Sequence, residues 1–127
     1  MKIFWLIVFT LVSFSSRADS EDVCKDSSVS AMYFCAEKNH EVIKMQYERE
    51  YEELIKAINI NEEYKKNIVK ANSLWKELMV QDCENSAYYV AKGTVTFETW
   101  KLECTNSMLK NRTEYLRVLI QRARDLS

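Results

Sequence analysis

Proline is absent from this chain of 127 residues, and glycine occurs once, at Gly93. A chain so poor in turn-forming residues cannot make the many reversals of an all-β fold, so helices are the expected element. Apolar residues do recur at helical spacing in three long tracts. The first, at about 30–58, places Phe34, Val42, Ile43, Tyr47, Tyr51, Leu54 and Ile58 near one face. The second, at about 62–90, carries Tyr64, Ile68, Ala71, Trp75, Leu78, Met79 and Val90, and the third, at about 97–126, carries Phe97, Trp100, Met108, Tyr115, Leu116 and Leu119. Trp75, Trp100 and the tyrosines read as packing residues of these helices. The expected fold class is all-α: a small antiparallel bundle of three main helices stapled by two disulfides.

Local signals support these boundaries. Asn59 and Glu62 have the Asn-x-x-Glu spacing that satisfies free amide groups at a helix start, and Ser27, Ser28 and Ser30 offer the same to the first helix. The segment Ala91-Lys92-Gly93-Thr94-Val95-Thr96 combines the glycine with β-branched residues and is expected to be the main connecting loop.

The N-terminus reads as an export signal: charged Lys2, an apolar run over residues 3–12, then small residues at Ser16 and Ala18, with cleavage expected after Ala18. The apolar run holds 10 residues, against the roughly 20 needed to span a bilayer, and no later segment is continuously apolar, so no membrane anchor is expected. Cys24 follows an acidic segment, Asp19 to Val23, which is unsuited to lipid attachment. Removing residues 1–18 from 127 leaves 109, read as a single domain at 19–127. The expected location is periplasmic or secreted.

Charge is distributed unevenly. The mature chain has 16 basic and 19 acidic side chains, net −3; residues 19–63 carry 5 against 12, and residues 64–127 carry 11 against 7. Such a bipolar chain either pairs helices of opposite charge or presents an acidic face to a basic partner. Export and mild acidity make nucleic acid a poor candidate.

Four cysteines allow three pairings. Cys83 and Cys104 lie 10 and 11 residues either side of Gly93, at equal heights on two helices if the chain reverses there. A continuous helix would separate them by about 30 Å at 1.5 Å per residue, whereas a disulfide needs roughly 4.4 to 6.8 Å between Cα atoms. The bond and the reversal therefore imply each other. Cys24 and Cys35 are 11 apart, so their pairing requires a fold-back near Ser27 to Ser30 that ties an N-terminal arm to the first helix.

Catalytic and metal chemistry find little purchase. Zinc sites use short Cys-x-x-Cys or closely spaced histidine pairs, but the nearest cysteines here are 11 apart and His40 is the sole histidine; His40 reads as a surface helix residue. Export argues against a free thiol nucleophile. Adjacent carboxylates such as Glu52-Glu53 and Glu62-Glu63 diverge on a helix, and no nucleophile elbow or phosphate-cradling glycine loop occurs. The expectation is no enzyme, no metal and no cofactor. The sequon Asn111-Arg112-Thr113 falls inside a predicted helix and reads as incidental.

Several of these residues form a pattern: Cys24 and Cys35 near the start, Trp75 eight residues before Cys83, Gly93 in a loop, and Cys104 eight residues before Arg112. The pattern resembles the LprI-like family of bacterial lysozyme inhibitor domains over about residues 24–120. The run from Cys104 through Arg112 to Leu116 is similar to the family's closing pattern, and Tyr51 falls where the family has a tyrosine. There are departures: Met79-Val80 stands where the family has Arg-Asp, Lys92-Gly93 replaces a double glycine, and Met45 replaces an aspartate.

The resemblance implies an exported helical protein that binds a lysozyme or other peptidoglycan hydrolase and occludes its cleft. Such enzymes work through cleft carboxylates, and charge complementarity speeds encounter with a basic enzyme. Two surfaces are candidates: the loop Lys92, Gly93, Thr94, Val95 and Thr96, where Lys92 can face a catalytic carboxylate and the threonines can donate hydrogen bonds; and Glu48, Glu52 and Glu53 on the first helix. An immunity protein against a rival's wall hydrolase, a carrier of a small apolar ligand and a structural envelope protein remain open as alternatives.

Overall fold

A computed structural model of the chain describes residues 24, 25 and 27–126. The export segment expected at 1–18 lies outside the described residues. Three helices follow in order: α1 (Val29–Ala57), α2 (Glu62–Ser86) and α3 (Val95–Leu126). The all-α class and the three helices are as expected, and no strand occurs among the described residues.

Each helix start has a side-chain cap. Ser28 accepts a hydrogen bond from the Ala31 amide at 3.3 Å, and α1 begins at the next residue. At α2 the cap is Asn61, whose Oδ1 accepts from the Tyr64 amide at 2.9 Å, instead of the expected Asn59. The shift follows from α1 ending at Ala57: residues 58–60 make the turn, and Asn61 is then the residue that directly precedes Glu62. Glu62 and Glu63 in the first turn of α2 complement its dipole.

Between α2 and α3 the expected loop at 91–96 is displaced. Helix α2 stops at Ser86, so Val90 is not helical, and α3 starts at Val95, so Val95 and Thr96 belong to a helix. Thr94 accounts for that early start, because its hydroxyl accepts from the Phe97 amide at 3.2 Å. The real connection is 87–94.

Helix α1 runs parallel to α3, and α2 runs antiparallel to both. Ala36 and His40 meet Asn106 while Glu50 meets Arg117, so numbers rise together along α1 and α3. By contrast, Trp75 meets Arg112 while Cys83 meets Cys104. The α1–α3 interface is the larger one. Its core joins Ile43, Tyr47, Leu54 and Ile58 to Ile68 of α2 and to Leu109, Leu116, Leu119 and Ile120 of α3; Leu54 and Leu116 are fully buried. At about 1.5 to 3 kcal/mol per buried aliphatic or aromatic side chain, this layer is the main source of stability.

Several residues predicted on the core faces lie at the surface instead. Phe34, Val42, Leu78, Trp100, Tyr115 and Ala71 are exposed. A stripe drawn through every apolar residue at helical spacing is wider than the strip that two neighbouring helices cover. His40 departs in the other direction. It is half-buried and lies 2.8 Å from Asn106 Oδ1 through Nδ1. Asn106 uses its Nδ2 to donate to the Ala36 carbonyl at 3.0 Å, so its Oδ1 faces the ring and His40 donates from Nδ1.

Both disulfides have the expected pairing: Cys24 with Cys35, Cα atoms 5.0 Å apart, and Cys83 with Cys104, 5.4 Å apart. Charge pairing is mostly intrahelical, as in Lys44–Glu48, Glu53–Lys56 and Glu98–Lys101. Among the described residues, Glu50–Arg117 at 3.1 Å is the ion pair that crosses between helices.

Candidate partner-binding loop

The loop at 87–94 sits on a rigid base. Cys83 is almost wholly buried, with its sulfur 3.6 Å from Met108 Sδ, and its disulfide fixes the end of α2 against α3. Ala87 and Phe97 are also buried, anchoring the loop at both ends. Within it, Tyr88 donates its amide to the Asn85 carbonyl and Val90 to that of Ala87, so the first half is a tight turn.

Outside this base the loop presents a protruding surface. Tyr88 is 73% exposed and Tyr89 97%, with their rings edge to face at 5.3 Å. Lys92, Gly93 and Thr94 are exposed beside them. Gly93 has φ +82°, and a Cβ there would meet nothing within 4 Å, so its backbone angle and not crowding is what favours glycine. Two expectations need correction. Thr94 donates its hydroxyl proton to the Ala91 carbonyl at 2.7 Å and accepts from Phe97, leaving that proton engaged within the loop. Thr96 sits half-buried in the first turn of α3. Of the residues singled out in the sequence, Lys92 remains as the exposed cation.

Tyr88 and Tyr89 were missed because they fell inside a tract read as helix core. One signal was available. Adjacent residues on a helix point about 100° apart, so two consecutive tyrosines cannot both face one neighbour.

The acidic group is elsewhere. Glu48 pairs with Lys44 at 3.8 Å, Glu53 with Lys56 at 3.2 Å, and Glu52 is exposed. This stretch lies level with Arg117, as the Glu50 contact shows, which is about 33 Å along α3 from Val95 at 1.5 Å per residue. The two candidate surfaces therefore occupy opposite halves of the bundle and do not form one patch.

A third feature is a groove of about 620 Å³ between α1 and α3, with Tyr33, Phe34, His40, Lys101 and Leu102 among its walls. Tyr33 is held above the usual tyrosine range, first by its hydrogen bond to Glu37 and then by burial and nearby carboxylates. Phe34 is 58% exposed, and Glu37, Glu41 and Glu98 are exposed as well, so the groove opens to solvent. Among the described residues no group of three or more His, Cys, Asp or Glu side chains could hold a metal ion, and no helix is long and apolar enough to cross a membrane.

The sequence matches no family model, and no curated protein matches it. Among solved structures, the fold is similar to a DUF1311 family protein from Pseudomonas putida KT2440, with a TM-score of 0.68 and 24% identity over 77% of this chain and 96% of the other. At that identity the likeness shows a shared fold and no more.

Proposed function

We propose that this is an exported, non-catalytic helical protein that binds a lysozyme-type cell-wall hydrolase and blocks its cleft with the loop at 87–94. The observation that carries the reading is the pairing of exposed Tyr88, Tyr89 and Lys92 with a buried disulfide base. Tyrosine supplies large contact area at small entropic cost and is enriched where binding energy concentrates. Holding it on a rigid base lowers the ordering cost of association. Lys92 supplies a cation for a cleft whose chemistry depends on carboxylates. The similar solved structure is a DUF1311 family protein, and DUF1311 is the LprI-like family, which agrees with the resemblance read from Trp75, the cysteines and Arg112. Two disulfides suit a periplasmic or secreted setting.

A carrier of an apolar ligand has less support, since Leu54 and Leu116 fill the centre of the bundle and the α1–α3 groove is open and rimmed by charge. The deciding measurement is wall lysis by a panel of purified muramidases with and without the chain from residue 19 onward. Slowed lysis by at least one enzyme is expected, with Tyr89→Ala and Lys92→Ala each weakening inhibition by about tenfold. If no enzyme in the panel is slowed or captured, the reading fails; if inhibition survives both substitutions, the loop is not the blocking element.

A further inference from the structure

Arg112 lies on α3 at a place the loop reading does not use, about 26 Å along the helix from Val95. Its guanidinium carbon is 5.1 Å from the ring centre of Trp75 and 5.1 Å from that of Tyr115. Trp75 in turn packs on Tyr47 at 5.5 Å, and Tyr47 donates its hydroxyl proton to Asn72 at 2.6 Å, so one side of this cation holder is locked into the core. Unlike Arg117, which has both Glu50 and Glu114, Arg112 has no carboxylate within ion-pair reach among the described residues. Its Nε is cut off from solvent and has no hydrogen-bond partner. The side chain borders an open surface hollow of about 240 Å³ together with Trp75, Met108, Asn111 and Tyr115.

These facts describe a cation that is fixed, partly desolvated and not neutralised. Flanking rings stabilise a guanidinium through its charge, yet they satisfy none of its N–H donors in the plane. A partly buried cation without an anion is costly, and the planar fork of arginine pairs with two oxygens of a carboxylate or a phosphate; one arginine neutralises the singly charged carboxylate, whereas a phosphate would keep further charged oxygens unpaired. Ligand pockets for whole organic molecules run to roughly 300 to 1,000 Å³, so this smaller space suits one acidic group. From this arrangement we infer that Arg112 is a carboxylate-binding site, with the guanidinium as anion receptor, Trp75 and Tyr115 as its walls and Asn111 as a neutral hydrogen-bonding neighbour.

The site is tested on the intact mature chain, independently of any hydrolase, by following the Trp75 indole N–H and the Arg112 Nε–H by NMR. Sodium acetate and a blocked glutamate-containing peptide are titrated separately against sodium chloride at equal ionic strength. Saturable shifts at both protons are expected with carboxylate and not with chloride, with dissociation constants on the order of millimolar. Acetate binding as well as the peptide points to a free small acid as the ligand, whereas tighter peptide binding points to an acidic side chain of a protein. Arg112→Gln should weaken binding at least tenfold. Arg112→Lys keeps the charge and the stem but loses the fork, and should weaken it several-fold even if the glutamine variant fails to fold. Shifts that do not saturate, that chloride reproduces, or that persist unchanged in a folded Arg112 variant overturn the inference.

Discussion

The two disulfides perform different work although each closes a short loop. Cys24–Cys35 spans 11 residues and Cys83–Cys104 spans 21; in the chain-entropy picture the longer loop gains only about 0.6 kcal/mol over the shorter. Their surroundings differ much more. Cys24 is exposed and Cys35 half-exposed, tying a short arm to the start of α1. Cys83 is almost fully buried, touches Met108 and joins two long helices below the exposed loop. Nearly equal loop entropy with unequal burial means that any large difference between the bonds comes from the folded state.

The largest predicted effect breaks or upholds that contrast directly. Replacing Cys83 and Cys104 together by alanine is expected to lower unfolding free energy in urea by about 4 kcal/mol, against about 2 kcal/mol for Cys24 and Cys35 together. Equal losses would mean that burial of the first bond adds nothing. A smaller effect probes the arm end without touching sulfur. Asn106→Ala removes both the donor to Ala36 and the acceptor for His40, and an expected loss of about 2 kcal/mol in the same assay would show that this tie rivals the exposed disulfide. The smallest effect lies between the two ends. Tyr47→Phe strands the buried Asn72 oxygen and should cost about 1 kcal/mol at neutral pH.

Tyr47 also gives a pH signature. Burial pushes its hydroxyl above the ordinary tyrosine value of 10.0, outweighing the lowering by the Arg112 charge. A raised folded value contributes stability that is complete below about pH 10 and is lost as pH climbs through the folded value. The parent protein should therefore lose more stability than Tyr47→Phe between neutral pH and strongly alkaline pH, as followed by thermal melts. Parallel curves would place the alkaline sensitivity elsewhere.

How far the sequence could be read differs from residue to residue. Both disulfide pairs were legible because helix rise and disulfide reach admit few arrangements, and the single glycine marked the reversal between Cys83 and Cys104. Cap residues were legible in type but not in place: Asn59 has the better spacing to a glutamate, yet Asn61 is the cap because α1 ends at Ala57 and residues 58–60 make the turn. Tyr88, Tyr89, Phe34 and Trp100 were misplaced because helical spacing says that a residue is apolar and in register, without saying whether another helix lies in front of it. Arg112 and Trp75 stood out through the family resemblance, 37 positions apart, and their ring contact was not readable from spacing.

By itself the sequence determined the helical class, the approximate extents of three helices and their covalent ties, since these depend on turn-forming residues, periodicity and chain geometry over short separations. The tertiary structure alone decided that α1 and α3 share the larger interface, that the loop carries an exposed tyrosine pair 33 Å or so from the acidic stretch, and that Arg112 has aromatic walls but no acidic partner among the described residues. Those outcomes depend on which faces of three helices meet, and burial, unlike helix formation, is a property of neighbours that are distant in the chain.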